Sequence, residues 1–474
     1  AGFLYTDTTQ ANANVSLLHI HDQRTAPGGV VRFKQILTHI EGRLSAAPLF
    51  RQRLQRVPMG LDHPYWVDDP NFDLEYHVRH IALPKPGDWR QFCIQVSRIH
   101  ARALDFDRPL WEAYVIEGLP QGRFATYTKI HHALVDGVTG ARIMAESLAR
   151  TADEDKPPVW AQVYSRHPTV RREAPAKGLI EQLASAARAG RDILPGVAGG
   201  LWDIVRAADP DSASALPFHA PPTPFNVEIS GSRRFAAQSY SLARLKRIGE
   251  AAGATVNDVT LAICAGALRR YLEVQKALPR KPLMAMVPVS LHGETDAGGN
   301  QVSLLLANLA TNLRDPLKRL QRIVLSTTQA KERLKAMPRL QKMAHGITSI
   351  SPMGAGMVIG TSKQRPGFNV VISNVPGPKH TLYLNGARLD EVYPVSIATH
   401  YLALNITISG YGDNLGFGYI ACRRSVPALQ RMLDYTDESI LELERALADK
   451  LTPATPAPVK RATRKRVTAS RARP

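Results

Sequence analysis

Hydrophobic and polar positions alternate along some stretches of this chain and recur at helical spacing along others. "RFATYTKI" (123–130) is rich in β-branched and aromatic residues and predicts a strand. Val138, Ala141, Ala145 and Leu148 then recur at i, i+3, i+7 and i+10, which predicts a helix over 138–150. Ser241 and Gly253 bracket a second predicted helix as N-cap and C-cap. "TVNDVTLAICAGALRRYLE" (255–273) predicts a third, with Val256, Thr260, Ile263 and Ala267 on one apolar side. "LMAMVPVSL" (283–291) and "FNVVISNVPGP" (368–378) predict buried strands, and 401–422 predicts a hairpin around a Gly-Asp-Asn turn.

Between these blocks the pattern breaks. Residues 152–178 are polar, charged and Pro-bearing, a surface linker by composition. Residues 179–208 carry Leu179, Leu183, Ala187 and Leu194 on one helical face, and 214–232 are again Pro-rich. The expected organisation is α/β: a first unit over 1–150, a long crossover over 151–232, a second unit over 233–452, and a tail over 453–474 that is disordered on composition.

Length and composition agree with two units. The chain has 474 residues, more than one ordinary domain needs, with 44% hydrophobic and 21% charged residues. It has no run of about 18 apolar residues, so no transmembrane helix is expected. The opening "AGFLYTDTTQ" has neither a basic n-region nor an apolar h-region, so no signal peptide is expected. Cys93, Cys264 and Cys422 are isolated from one another and form no CxxC, which favours a reducing compartment over a disulfide framework or a zinc site. Net charge is +19, and setting aside the seven basic residues of the tail leaves +12. Such a field favours anionic partners: phosphates, acidic membrane surfaces or nucleic acid.

The candidate chemistry lies in "TKIHHALVDGVTG" (128–140), where the predicted strand gives way to the predicted helix. Adjacent histidines on a strand point to opposite faces, and no HExxH or acidic cluster completes a ligand set, so no metal site is expected. Two readings remain. In one, His131 and His132 are structural and Asp136 caps the helix. In the other, one histidine faces a channel as general base, which its ordinary pKa of about 6.5 suits, while the other packs and Asp136-Gly137 orders the turn. The chain has no GxSxG elbow and no Gly-Lys dipeptide for a Walker A loop, and "GAGMVIG" (354–360) misses the dinucleotide spacing. A base without a nucleophilic side chain suggests direct transfer of an acyl group onto a hydroxyl or amine.

"HHALVDG" matches the HHxxxDG signature of the CoA-dependent acyltransferase superfamily. More narrowly, the chain resembles the bacterial wax ester synthase/acyl-CoA:diacylglycerol acyltransferase family. "FRQRL" (50–54), the 61–87 segment, "RPLWE" (108–112), "ND" (257–258), "SNVPGP" (373–378) and "LNITISGYGDNLGFG" (404–418) carry the resemblance. The family's usual Met and Pro-Leu-Asp lead-in are absent, and the basic tail is outside its pattern. The resemblance implies two similar chloramphenicol-acetyltransferase-like α/β domains with a substrate tunnel between them.

It also implies roles. His132 would be the base, acting on a fatty alcohol or diacylglycerol that attacks an acyl-CoA thioester with no acyl-enzyme. His131, Asp136 and Gly137 would complete the catalytic turn. Asn257, Asn374, Asn405, Thr407 and Ser409 are candidates for contacting substrate or the oxyanion, with Ser373 beside them. Pro109, Leu110 and Trp111 are expected to be structural near the site. No cofactor is expected, since acyl-CoA is a substrate. The setting expected is cytoplasmic, with peripheral association to a membrane or lipid-droplet surface, to which the tail or Leu201, Trp202, Ile204 and Val205 could contribute. No nucleic-acid partner is expected. A small or carrier-bound acceptor, or a catalytically silent lipid-surface binder, are the alternatives.

Overall fold

The structure, a computed structural model, describes residues 4, 7–41, 48–55, 64–134, 140, 147–154, 220–290, 302–336 and 366–451. Asp136, Gly137, most of the predicted 138–150 helix, most of the 151–232 crossover, the 354–360 stretch and the basic tail lie outside the described residues. Among the described residues two mixed six-stranded sheets dominate, which is the α/β architecture expected.

Strands β2 (Gln52–Gln55) and β3 (Tyr65–Asp68) form a small separate ribbon. The first large sheet is built from β1 (Asn14–Asp22), β4 (Val78–Ala82), β5 (Trp111–Leu119), β6 (Arg123–His131), β11 (Tyr383–Leu384) and β12 (Ala387–Val395), in the order β11-β12-β1-β6-β5-β4. The second is built from β7 (Arg233–Ser241), β8 (Met284–Ser290), β9 (Val302–Asn308), β10 (Val370–Val375), β13 (Leu404–Tyr411) and β14 (Asn414–Cys422), in the order β7-β14-β13-β10-β8-β9. The expected second unit runs over 233–452, yet its residues 383–395 pair within the first sheet, where β12 lies antiparallel to β1.

Sheet faces follow from the period of two. On β6, Phe124 and Ile130 enter a core with Trp111 and Val115, packed from outside by helix α1 (Phe33–Glu41). Ala125 and Tyr127 point the other way, into a core shared with Phe92, Val96 and Ile99. The short helix α2 (Leu74–His77) leads into β4. Phe92, Val96 and Ile99 lie on helix α3 (Trp89–Ala101), started by Asp88, whose carboxylate accepts from the Gln91 N–H.

Helix α3 also covers the edge of the second sheet. Ser97 Oγ accepts from the Phe235 N–H at 2.8 Å, and Trp89 Nε1 donates to the Ala237 carbonyl at 3.0 Å, so the edge strand β7 does not present an open ladder.

The second sheet carries helices α4 (Leu242–Ala252), α5 (Val256–Val274), α6 (Pro316–Ala336) and α7 (Arg431–Ala446). Ser241 and Gly253 cap α4 as expected, the glycine at φ 65°. Thr255 and Asp258 form a reciprocal capping box at the start of α5, which is buried along almost its whole length against α6 and α7. No single described helix is long and apolar enough to cross a membrane.

One expected helix end is not helical. Ala149 and Tyr383 exchange N–H···O bonds at 2.9 Å each way, so tertiary pairing overrides the periodicity that carries the predicted helix through Leu148.

Candidate active site

β6 ends at His131, and His132 already lies in the turn that follows. Each backbone N–H across this turn has a partner. His131 N–H donates to the Leu110 carbonyl at 3.0 Å, His132 N–H to Ala13 at 2.9 Å, and Leu134 N–H to His131 at 2.9 Å. Ala133 N–H donates to the His131 ring at Nδ1, 3.1 Å away. The other ring nitrogen, Nε2, donates to Asp7 Oδ2 at 2.8 Å. With Nδ1 accepting, the ring proton sits on Nε2. His131 is thus fully buried with both nitrogens engaged, whereas His132 is half-buried.

On the face of β6 that carries His131, Lys129 is fully buried and ion-paired to Glu112 at 2.9 Å. Burial pulls the lysine's pKa down, and the Glu112 carboxylate opposes that pull. Tyr114 donates to the same carboxylate at 2.7 Å, with Arg79 3.8 Å from its other oxygen.

Trp111 is fully buried. Its Nε1 donates to the Phe50 carbonyl at 2.8 Å, and the His77 ring stacks on it with centroids 4.7 Å apart. Pro109 and Leu110 are buried, and the Leu110 carbonyl is the acceptor that holds His131. All three side chains are thus packed inside the first half of the fold.

The five polar candidates from the second half divide between two faces. Asn405, Thr407 and Ser409 alternate on one face of β13 and are all buried. Ser373 pairs with Thr407 and shares that face. Asn374 pairs with Ile408, whose side chain lies in the helix-covered core, so Asn374 stands on the opposite face. Asn257 is the second residue of α5, the helix that packs on that opposite side. Asn374 and Asn257 are therefore not brought together with the β13 row. Asp258, next to Asn257, is the capping-box acid and also accepts from Thr327 Oγ1 at 2.7 Å.

The β13 row looks across at the first sheet. An added Cβ on Gly416 or Gly418 would collide with the carbonyl of Val392 or Pro394, so β14 and β12 cross in backbone contact. Gly418 pairs with Thr407, Pro394 with Leu17, and Leu17 with Thr128. Thr407 thus stands at the level of Thr128, and Asn405, two residues away, at the level of Ile130 beside the histidine turn. Thr407 Oγ1 donates to Asn405 Oδ1 at 2.8 Å, which leaves the amide Nδ2 as the donating end. Ser409 lies deeper, around a small cavity shared with Leu17, His19, Gly377 and Pro378.

Among the described residues, a cavity of about 530 Å³ opens over the first sheet. Ile36, Ile40, Val78, Val115 and Leu148 line it with apolar surface, and His19, Thr126 and Thr128 add polar groups. Burial pushes His19 down to about 4, so it is neutral near pH 7. Among the described residues no cluster of three His, Cys, Asp or Glu side chains could hold a metal ion. Cys93, Cys264 and Cys422 are buried and unpaired with one another.

Sequence reasoning missed Asp7, the Lys129–Glu112 pair and His19. Asp7 precedes His131 by 124 positions, and no local spacing joins them. The only hint was an acid in an otherwise uncharged opening segment.

Comparison with known proteins gives a consistent result. The model of the wax ester synthase/diacylglycerol acyltransferase catalytic domain matches residues 1–260, and that of the family's C-terminal domain matches 298–444. A Mycobacterium tuberculosis protein described as a probable diacylglycerol O-acyltransferase is 45% identical over 405 residues, 84% of this chain and 88% of that protein. The O-acyltransferase WSD of Acinetobacter baylyi is 42% identical over 388 residues, 81% of this chain and 84% of its own. The solved wax ester synthase/diacylglycerol acyltransferase of Marinobacter aquaeolei superposes with a TM-score of 0.75 at 38% identity, covering 94% of this chain and 97% of that one. The first condensation domain of the calcium-dependent antibiotic synthetase shares the fold, with a TM-score of 0.54 at 16% identity over 94% and 93% of the two chains.

Proposed function

Because the chain belongs to the wax ester synthase/diacylglycerol acyltransferase family, we propose that it transfers a long-chain acyl group from acyl-CoA to the hydroxyl of a fatty alcohol or diacylglycerol, with His132 as general base and no acyl-enzyme. The observation that carries the role of His132 is the division of labour in the turn. His131 is buried with both ring nitrogens bonded, while His132 is half-buried on a backbone whose neighbouring N–H groups are all held.

The chemistry follows from leaving-group ability. A thiolate leaves readily, whereas an alcohol is a poor nucleophile and needs a base. His132 takes the hydroxyl proton as the oxygen bonds to the thioester carbonyl carbon. The tetrahedral intermediate carries its charge on the former carbonyl oxygen. The C–S bond then breaks, the oxyanion collapses to the ester, and the proton on His132 passes to the departing CoA sulfur. Asn405 is the donor proposed for the oxyanion, since Thr407 occupies its Oδ1 and turns Nδ2 to donation.

The cavity over the first sheet, of a size usual for small-molecule sites (~300–1,000 Å³), supports an apolar-chain substrate. The basic field supports an anionic partner, and peripheral association with a phospholipid surface is part of the reading.

The test is CoA release from palmitoyl-CoA with hexadecanol and with diacylglycerol, side by side. His132→Ala is expected to lower turnover on the order of 10²–10⁴-fold with its circular dichroism unchanged. Asn405→Ala is expected to lower kcat on the order of 10²–10³-fold. Intact-protein mass after acyl-CoA alone is expected to show no acyl adduct. Retained turnover in His132→Ala, or a covalent adduct, overturns the mechanism.

A further inference from the structure

We propose that Asp7 is the positioning residue for His132, tying both sides of the catalytic turn through one carboxylate oxygen. This rests on the reading of His132 as the base. Asp7 Oδ2 accepts from His131 Nε2 at 2.8 Å and from the Ala13 N–H at 3.1 Å. Each of these two groups holds one backbone N–H of the turn. The Ala13 carbonyl accepts from the His132 N–H at 2.9 Å, and His131 Nδ1 accepts from the Ala133 N–H at 3.1 Å. The peptide groups on either side of the His132 Cα are therefore both referred to a single atom of the N-terminal segment.

Burial makes the arrangement consequential. The Asp7 side chain is 5% exposed and the His131 side chain 0%, so water cannot readily replace the carboxylate as acceptor. Asn12 and Asn14 fasten the same stretch from the other direction, donating to the carbonyls of Ala101 and Arg102 at the end of α3. Without the carboxylate, the His131 ring loses the bond that fixes its orientation, and Nδ1 no longer has to face Ala133. A base displaced by about 1 Å can lose on the order of 10²-fold in rate.

What Asp7 supplies is acceptor geometry, which an amide oxygen can reproduce. Asp7→Ala is therefore expected to lower kcat on the order of 10²-fold with KM for acyl-CoA little changed. Asp7→Asn is expected to recover most of that loss. On a His132→Ala background, Asp7→Ala is expected to cost nothing further, because no base remains to be positioned. A general weakening of the fold would instead lower the residual rate again and raise KM.

Amide hydrogen exchange of the peptide spanning 128–134 provides a readout that does not depend on the identity of the base. Asp7→Ala is expected to speed exchange there while leaving peptides of α5 and β13 unchanged. Unchanged exchange in 128–134 overturns the positioning role even if His132 proves to be the base. Accelerated exchange with full activity in His132→Ala upholds the anchoring and overturns the base assignment, and with it the claim that Asp7 serves that base. Asp7→Asn as poor as Asp7→Ala also overturns the proposal.

Discussion

His19 and His100 are buried histidines that the fold holds in their neutral forms. Burial pushes His19 to about 4; burial, followed by the charge of Lys129, pushes His100 to about 3. Burial likewise lowers His21 and His77. Above the ordinary histidine pKa of about 6.5, folded and unfolded chains both keep these rings neutral. As pH falls below that value, the unfolded chain binds protons that the folded chain refuses, so the stability present at neutral pH is lost progressively down to the folded pKa. For His19 the full loss amounts to about 3 kcal/mol. The urea midpoint is expected to fall between pH 7 and pH 5, before carboxylates with depressed pKa such as Asp22 and Glu444 contribute. His19→Gln is expected to lessen that fall. Equal pH sensitivity in the variant and the parent chain would contradict the assignment to His19.

At the scale of the element, local signals decide what the sequence can foretell. The caps Ser241, Gly253 and Thr255 act on backbone groups a few residues away, so α4 and the start of α5 are legible before any coordinates. The strands around 123–130, 283–291 and 368–378 and the hairpin at 401–422 are legible for the same reason. The crossing of β12 into the first sheet is not legible, because its pairing with β1 joins residues more than 360 positions apart. The interior Pro394 also makes that stretch a poor strand by pattern, although no ladder partner flanks it on the side away from β1 among the described residues. The active site divides likewise. His131 and His132 are legible from their own motif and the β13 row from the family resemblance, but Asp7 and the opposite facing of Asn374 require the three-dimensional register. The capping box offers a direct measure of local against tertiary roles. Thr255→Ala removes a cap and is expected to cost about 1 kcal/mol. Asp258→Ala removes the reciprocal cap and also the acceptor of Thr327 on α6, and is expected to cost about 2 kcal/mol or more. Urea unfolding of the two variants tests the ranking, and an Asp258→Ala cost no larger than that of Thr255→Ala would show that the bridge to α6 contributes nothing.

Across the whole molecule, the proposed chemistry depends on how closely the two sheets meet. His132 directly follows β6 of the first sheet and Asn405 lies in the second, so their relative level is set where β12 crosses β14. That crossing requires the absence of side chains at Gly416 and Gly418, whose Cβ positions are occupied by backbone carbonyls of Val392 and Pro394. Backbone obstacles cannot rotate away as the end of a flexible side chain can. Gly418→Ala is therefore expected to push β12 off β14, to destabilise by about 1–3 kcal/mol, and to lower kcat by more than that loss of stability explains, because the proposed oxyanion donor shifts against the proposed base. Gly410, on the neighbouring strand, is the matched control. A Cβ there would meet its nearest atoms, Gly377 N and Leu415 Cδ2, at an ordinary 3.7 Å. Gly410→Ala is expected to keep both its urea midpoint and its turnover near those of the parent chain. If both alanine variants behave alike in the two measurements, the seam does not set the spacing of the site; if only Gly418→Ala loses turnover, the two glycines of "GFG" (416–418) serve the geometry of acyl transfer from the far side of the sheet.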